Sequence, residues 1–206
     1  MQWAIGLEIA LYAKDAMRTM ITTDHPNAGP FTRYPRVYAW LMDKKYRDAQ
    51  LDSFKWAEKV RAGTTLGEID REISLFELSQ MTRAAPAKVL GINSMFGGLK
   101  VGMNGNVAIY DINPDNMPKG LDLENKLAKC AYLFKDGVKC VENGVVLEAQ
   151  PVGKETFWVD CQVPENKQVM HDVNEKFLKY YSVKLDNYDV IDEYAPNQHV
   201  IKIGEA

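Results

Sequence analysis

The chain has 206 residues, enough to bury a substantial core as one large domain or two small ones. Its net charge of −3 argues against a nucleic-acid-binding protein, because that binding relies on clustered basic side chains. Three cysteines without a CxxC pair predict a reduced, cytoplasmic protein, and three scattered histidines argue against a self-contained metal centre built from histidines.

Residues 1–12 predict an apolar helix at the start of the chain. Glu8 interrupts the apolar run, which is too short for a membrane span of about 20 residues. It has neither the basic start nor the cleavage site of a signal peptide. Because no capping residue precedes the helix, we expect that it begins before the first residue of this sequence. We therefore expect no membrane span.

The first 90 residues predict alternating strand and helix. Loop-forming residues separate the first strand from the first complete helix, and Ser74 with Glu77 has the spacing of a capping box. The predicted elements in order are a strand at 18–23, a loop at 24–30, helices starting at Pro35 and spanning 48–60, and a short helix at 84–90.

After Gly91 the pattern becomes rich in strands and turns. Asp136-Gly137 and Asn143-Gly144 lie between hydrophobic runs, which is the strongest short-range signal for β-hairpins. Further strands are predicted at 107–111 and 156–163, then a helix at 165–181 and an extended tail. The natural boundary lies near residues 90–95, between an α/β half and a β-rich half.

Asp24 is the first candidate for chemistry, because it follows a predicted strand and precedes a stiff loop and a helix. Barrels of alternating strands and helices place catalytic groups at this point. A carboxylate there can bind a metal ion or accept a proton. The alternative is that Asp24 and Asn27 only brace the turn. A lone histidine such as His25 is more often a hydrogen-bonded structural residue than a metal ligand.

The segment from Thr22 to Pro35 resembles the amidohydrolase-type subunit of the formylmethanofuran dehydrogenase family, including the related formyltransferase/hydrolase complexes. The resemblance continues in family order through most of the chain. It is carried by residues 39–42, 45–47, 82–88, 90–91, 107–114, 179–183 and 192–194.

The resemblance implies the C-terminal portion of a metal-dependent amidohydrolase. Residues 1–92 would be the last strand and helices of a (β/α)₈ barrel, 93–163 a β-sandwich domain, and 164–206 a helical and extended tail. Asp24 would be the catalytic, metal-binding aspartate, and His25, Asn27 and Arg33 would contact substrate. Family enzymes carry a dinuclear zinc site whose other ligands lie on earlier strands, in the N-terminal barrel half. Methanofuran and formate would be the substrates, and other dehydrogenase subunits the partners.

Family loops commonly read Asn-Gly-Gly-Pro, whereas Ala28 follows Asn27 here. An alanine would be strained if this position required a positive φ. The leading hypothesis is an enzyme part that is inactive alone, and the runner-up is a non-catalytic assembly module of the dehydrogenase complex. A complete, unrelated α/β hydrolase is a third hypothesis.

Overall fold

A computed structural model describes residues 2–147, 156–160, 167–183, 187 and 198–202. The chain divides into two compact units, Met1–Pro151 and Val152–Ala206. The sequence predicted boundaries at residues 92 and 163, between barrel, sandwich and tail. These boundaries differ from the division into two units, and they stay a prediction. Our expectations for Cys161, for the end of the strand at 161–163 and for the tail between residues 188 and 194 lie outside the described residues.

The first unit is mainly helical. Pro35 lies in the first turn of its helix, as predicted, while the helix predicted at 48–60 is two helices. Ser53 ends the first of the two, and its hydroxyl donates to the carbonyl of Gln50 at 2.7 Å. The helices are α1 (Gln2–Tyr12), α2 (Tyr34–Met42), α3 (Lys44–Asp52), α4 (Ala57–Ala62), α5 (Leu75–Ser79), α6 (Ala85–Val89) and α7 (Gly120–Ala128).

The core of this unit is formed by helices that lie far apart in the sequence. The most deeply buried leucines come from α1, α2, α3, the turn at 66 and α7; they are Leu11, Leu41, Leu51, Leu66 and Leu123. The sequence pattern does not predict α7, whose Leu123 and Leu127 lie one turn apart and enter the core. Residues beyond position 92 therefore pack in the same core as α1 and α2.

The strand predicted at Arg18–Thr23 was wrong. Ala16–Arg18 is a 3-10 helix, and no strand is assigned at 19–23, although Thr19 has extended φ and ψ angles. A strand is defined by hydrogen bonds to a neighbouring strand. Among the described residues, no strand pairs with this segment, which lies against α1 instead.

Both predicted hairpins are confirmed. The antiparallel sheet has the order β1–β2–β3–β4, with β1 at Val107–Ile109, β2 at Tyr132–Lys135, β3 at Val138–Glu142 and β4 at Val145–Val146. Asp136 and Gly137 have φ values of 50° and 79°, and Asn143 and Gly144 have 50° and 75°. These left-handed pairs match the twist of the flanking strands. These strands do not establish the β-sandwich that was predicted for residues 93–163.

The second unit contains helix α8 (Lys167–Tyr180) and strands β5 (Thr156–Asp160) and β6 (Gln198–Lys202). β5 and β6 pair in parallel, with Thr156 opposite Gln198. The helix therefore lies between two parallel strands along the chain, in the order of a βαβ unit. Within the described parts of both units, no helix is long and apolar enough to cross a membrane.

Replacing Ser74 with alanine is expected to lower the free energy of unfolding by about 1 kcal/mol, because Ser74 caps α5. Its hydroxyl accepts from the Glu77 amide at 3.2 Å, and the Glu77 carboxylate accepts from the Ser74 amide at 2.8 Å. The Ser74 backbone hydrogen bond holds the pKa of Glu77 below its usual value, against a smaller effect of burial. Urea denaturation would measure the change.

Ser79→Ala is the matched control, since the Ser79 hydroxyl donates to the Phe76 carbonyl within the same helix and caps no amide. Equal losses in the two variants would contradict the assigned cap.

Candidate functional site

Asp24 begins an exposed loop between the extended segment at 19–23 and α2. Its φ of 46° is in the left-handed region, which aspartate tolerates better than most residues. Within the described parts of the chain, its exposed carboxylate has no hydrogen-bond or ion-pair partner. The alternative that this carboxylate braces the turn is therefore not what the structure shows. Ala28 is not among the residues with positive φ, so the expected strain at that position is absent.

Other groups hold the loop. The amide of Ala28 donates to the carbonyl of Asp24 at 3.2 Å, and the indole of Trp3 donates to the carbonyl of Ala28 at 2.8 Å. The Phe31 amide donates to Nδ1 of His25 at 3.3 Å, and the two rings lie 4.6 Å apart. The loop is thus fastened to α1 on one side and closed on itself on the other.

His25 has the hydrogen-bonded structural role that is the more common one for a lone histidine. Because Nδ1 accepts a hydrogen bond from Phe31, a neutral ring carries its proton on Nε2. Nε2 then faces its surroundings as a donor, since the side chain is exposed. The assignment of His25 to substrate contact stays a prediction.

Asn27 and Arg33 share this loop region with Asp24 but do not converge on it. Both side chains are exposed. Arg33 ends the short 3-10 helix Phe31–Arg33, immediately before α2. Their assignment to substrate contact stays a prediction.

Tyr34 is the residue of this region that sequence reasoning missed. Its hydroxyl accepts from the amide of Thr23 at 3.2 Å. Burial acts to raise the pKa of Tyr34, but hydrogen bonding with Thr23 and Thr22 outweighs it and brings the pKa below its ordinary value. The sequence does not reveal this link, because no local spacing connects Tyr34 to a residue eleven positions earlier in the chain.

An apolar cavity of about 280 Å³ lies beside the loop, between α1 and the segment at 19–22. Trp3, Leu7, Ile21 and Thr22 line it, together with Ala28 from the loop. The cavity therefore extends from the loop of Asp24 along one side of the extended segment.

The described residues do not form a metal centre by themselves. A catalytic zinc ion takes three protein ligands as a rule. Among the residues that the structure describes, no group of three or more histidine, cysteine, aspartate or glutamate side chains could hold a metal ion. Asp24 offers a single carboxylate donor.

Comparison with known proteins links the chain to one family. The family model described as "Amidohydrolase family" matches residues 2–183. Protein FwdA of Methanocaldococcus jannaschii is 46% identical over 206 residues, which cover 98% of this chain and 35% of that protein. FhcA, a subunit of the formyltransferase/hydrolase complex Fhc of Methylorubrum extorquens, is 39% identical over 147 residues, covering 71% of this chain and 25% of that protein.

A solved structure agrees with these matches. The crystal structure of the formyltransferase/hydrolase complex (FhcABCD) from Methylorubrum extorquens, in complex with methylofuran, contains a chain that superposes with a TM-score of 0.75 and 31% identity. The match covers 98% of this chain and 35% of that one. The chain thus spans about a third of the length of FwdA and of this solved chain.

Proposed function

Since the chain belongs to the amidohydrolase family and is homologous to FwdA and FhcA, we propose that it forms the C-terminal part of the FwdA-type subunit of a formylmethanofuran dehydrogenase. The homology supports a role in C1 metabolism and excludes an unrelated hydrolase. The proposed reaction condenses formate with the amine of methanofuran to N-formylmethanofuran, as in methanogenesis, or hydrolyses that product. The observation that carries the proposal is the exposed carboxylate of Asp24. The loop that bears this carboxylate is held in place by other groups.

The proposed work of Asp24 is proton transfer. In hydrolysis, water adds to the formyl carbon and gives a proton to the carboxylate, which passes it to the leaving amine nitrogen as the C–N bond breaks. Condensation runs the same transfers in reverse. A positioned acid–base group of this kind typically contributes about 10²–10⁴-fold to the rate. His25, Asn27 and Arg33, which lie on or beside the same loop, are proposed to contact the substrate.

The proposed zinc site needs more of the enzyme than these residues. Asp24 would supply one ligand of a dinuclear centre, and the remaining ligands would lie on the N-terminal barrel half. The extended segment at 19–23 supports this arrangement, because it runs beside the apolar cavity and no strand pairs with it among the described residues. A strand of the N-terminal half could cover the cavity and pair with this backbone.

The proposed partners follow from the homologous complex. The Methylorubrum structure contains FhcABCD and methylofuran, which supports further dehydrogenase subunits and a furan-type amine as partners of the protein to which this chain contributes. Formate is proposed from the reaction alone.

A non-catalytic assembly module is the second candidate function. It is favoured by one observation, the lack of a complete metal-ligand cluster within the described residues. The two functions differ in what Asp24 does, because an assembly module needs no free carboxylate at this position.

Metal analysis tests the split site. We expect less than about 0.1 zinc per chain for the 206 residues expressed alone, because three protein ligands are the usual minimum for a catalytic zinc ion. When the chain is co-expressed with the N-terminal half, the purified complex should hold about two zinc ions, as a dinuclear site requires. Stoichiometric zinc on the isolated chain would contradict the proposal, and a stable complex without zinc would favour the assembly module.

A further inference from the structure

The hydroxyl of Tyr34 meets the chain immediately before Asp24. It accepts from the Thr23 amide at 3.2 Å. The Thr22 hydroxyl accepts from the Asp24 amide at 3.2 Å. Two hydrogen bonds therefore hold the backbone at Asp24, one between Tyr34 and the residue before Asp24 and one between Thr22 and the amide of Asp24 itself.

Tyr34 is itself held on a rigid support. It is the first residue of α2, and Pro35 fixes the backbone of the turn that follows. Its ring lies 5.6 Å from that of Tyr38, one turn along the same helix. Tyr38 is half-buried, and burial raises its pKa to about 12 against the opposing charge of Arg83. α2 contributes Val37 and Leu41 to the core, so the phenol of Tyr34 is carried by a helix that packs into the core.

Asp24 needs such a support from outside its own side chain. Its carboxylate has no hydrogen-bond or ion-pair partner among the described residues, so its direction depends strongly on the backbone that carries it. That backbone has a left-handed φ of 46°, which a non-glycine residue adopts at a cost and keeps when its surroundings hold it. Thr23, the residue before it, is 1% exposed and cannot shift without disturbing its packing.

We infer that Tyr34 is a positioning residue for Asp24, which sets the direction of the catalytic carboxylate through its hydrogen bond with the Thr23 amide. This inference rests on the proposed function of Asp24. Small displacements of a catalytic group cost far more rate than stability, because the reaction requires near-ideal geometry while binding tolerates some freedom. Loss of the phenolic hydroxyl should therefore lower the turnover number more than it changes substrate affinity.

The test compares Tyr34→Phe with Tyr38→Phe in the complex of this chain with the N-terminal half. Each variant removes one hydroxyl and keeps the ring, but only the Tyr34 hydroxyl accepts from the Thr23 amide in the described structure. We expect Tyr34→Phe to lower kcat for deformylation about tenfold or more with KM within about twofold, and to leave zinc content unchanged. Tyr38→Phe should keep kcat within about twofold of the parent, since the structure links its hydroxyl to neither threonine.

A further variant tests the second hydrogen bond that holds this backbone. Thr22→Val removes the hydroxyl that accepts from the Asp24 amide, so it should also lower kcat. An unchanged kcat in Tyr34→Phe, or equal losses in Tyr34→Phe and Tyr38→Phe, would overturn the inference while Asp24→Asn remains inactive. Activity retained in Asp24→Asn would instead overturn the proposed function itself.

Discussion

Replacing Asp24 with asparagine is expected to reduce the deformylation rate of the assembled enzyme by about 10³-fold, within the range for loss of a positioned acid–base group. The amide keeps the size and left-handed tendency of aspartate but cannot accept a proton from water at neutral pH. The carboxylate has no partner among the described residues, so folding should not depend on it. Rate measurements with N-formylmethanofuran, together with gel filtration to confirm assembly, would test this.

Asp136→Asn is the matched control. Asp136 is also an exposed aspartate in the left-handed region, with a φ of 50°, but it lies in the hairpin turn between β2 and β3. We expect this variant to keep the parental rate. If Asp24→Asn retained more than about a tenth of the activity, a role as the transferring base would be untenable, since even weak acid–base catalysis contributes about 10²-fold. The assembly-module function would then be favoured.

The features predicted correctly from the sequence are those specified by neighbouring residues. The Asp136-Gly137 hairpin is an example, because its left-handed dihedrals are required by the turn itself. The cap at Ser74 is another, since donor and acceptor lie three residues apart. The loop after Thr23 is predicted in the same way, from its clustered glycine and prolines.

The features that were missed depend on tertiary contacts. The segment at 18–23 has strand-forming residues, but strand structure requires a neighbour, and none is described beside it. α7 has no side-chain cap at its start, and its apolar residues Leu123 and Leu127 gain their role only where they enter the core. The link between Tyr34 and Thr23 spans eleven positions and arises from how α2 packs, which no spacing rule reveals. The candidate site was therefore predictable as a loop, but its support was not.

Arg47 is a fully buried charged residue that links several parts of the first unit. Its side chain is 0% exposed, and its guanidinium donates to the carbonyls of Trp40 at 2.7 Å, Ile69 at 2.6 Å and Arg71 at 3.3 Å. It thereby joins α2, α3 and the connection before α5. Burial lowers the pKa of Arg47, although nearby carboxylates, led by Asp48, oppose the effect.

Arg47→Met is expected to lower the free energy of unfolding by about 3 kcal/mol, because three carbonyls lose their donor at about 1 kcal/mol each. Methionine fills a similar volume and carries no charge that must be desolvated on folding. This gain offsets part of the loss of the hydrogen bonds. The midpoint of thermal unfolding should fall by roughly 6–12 °C in a chain of this size. Lys45→Met on the same helix is the control, because Lys45 is exposed and should change the free energy by less than about 0.5 kcal/mol. Equal effects would mean that the three carbonyls find other donors, and that Arg47 does not join these elements.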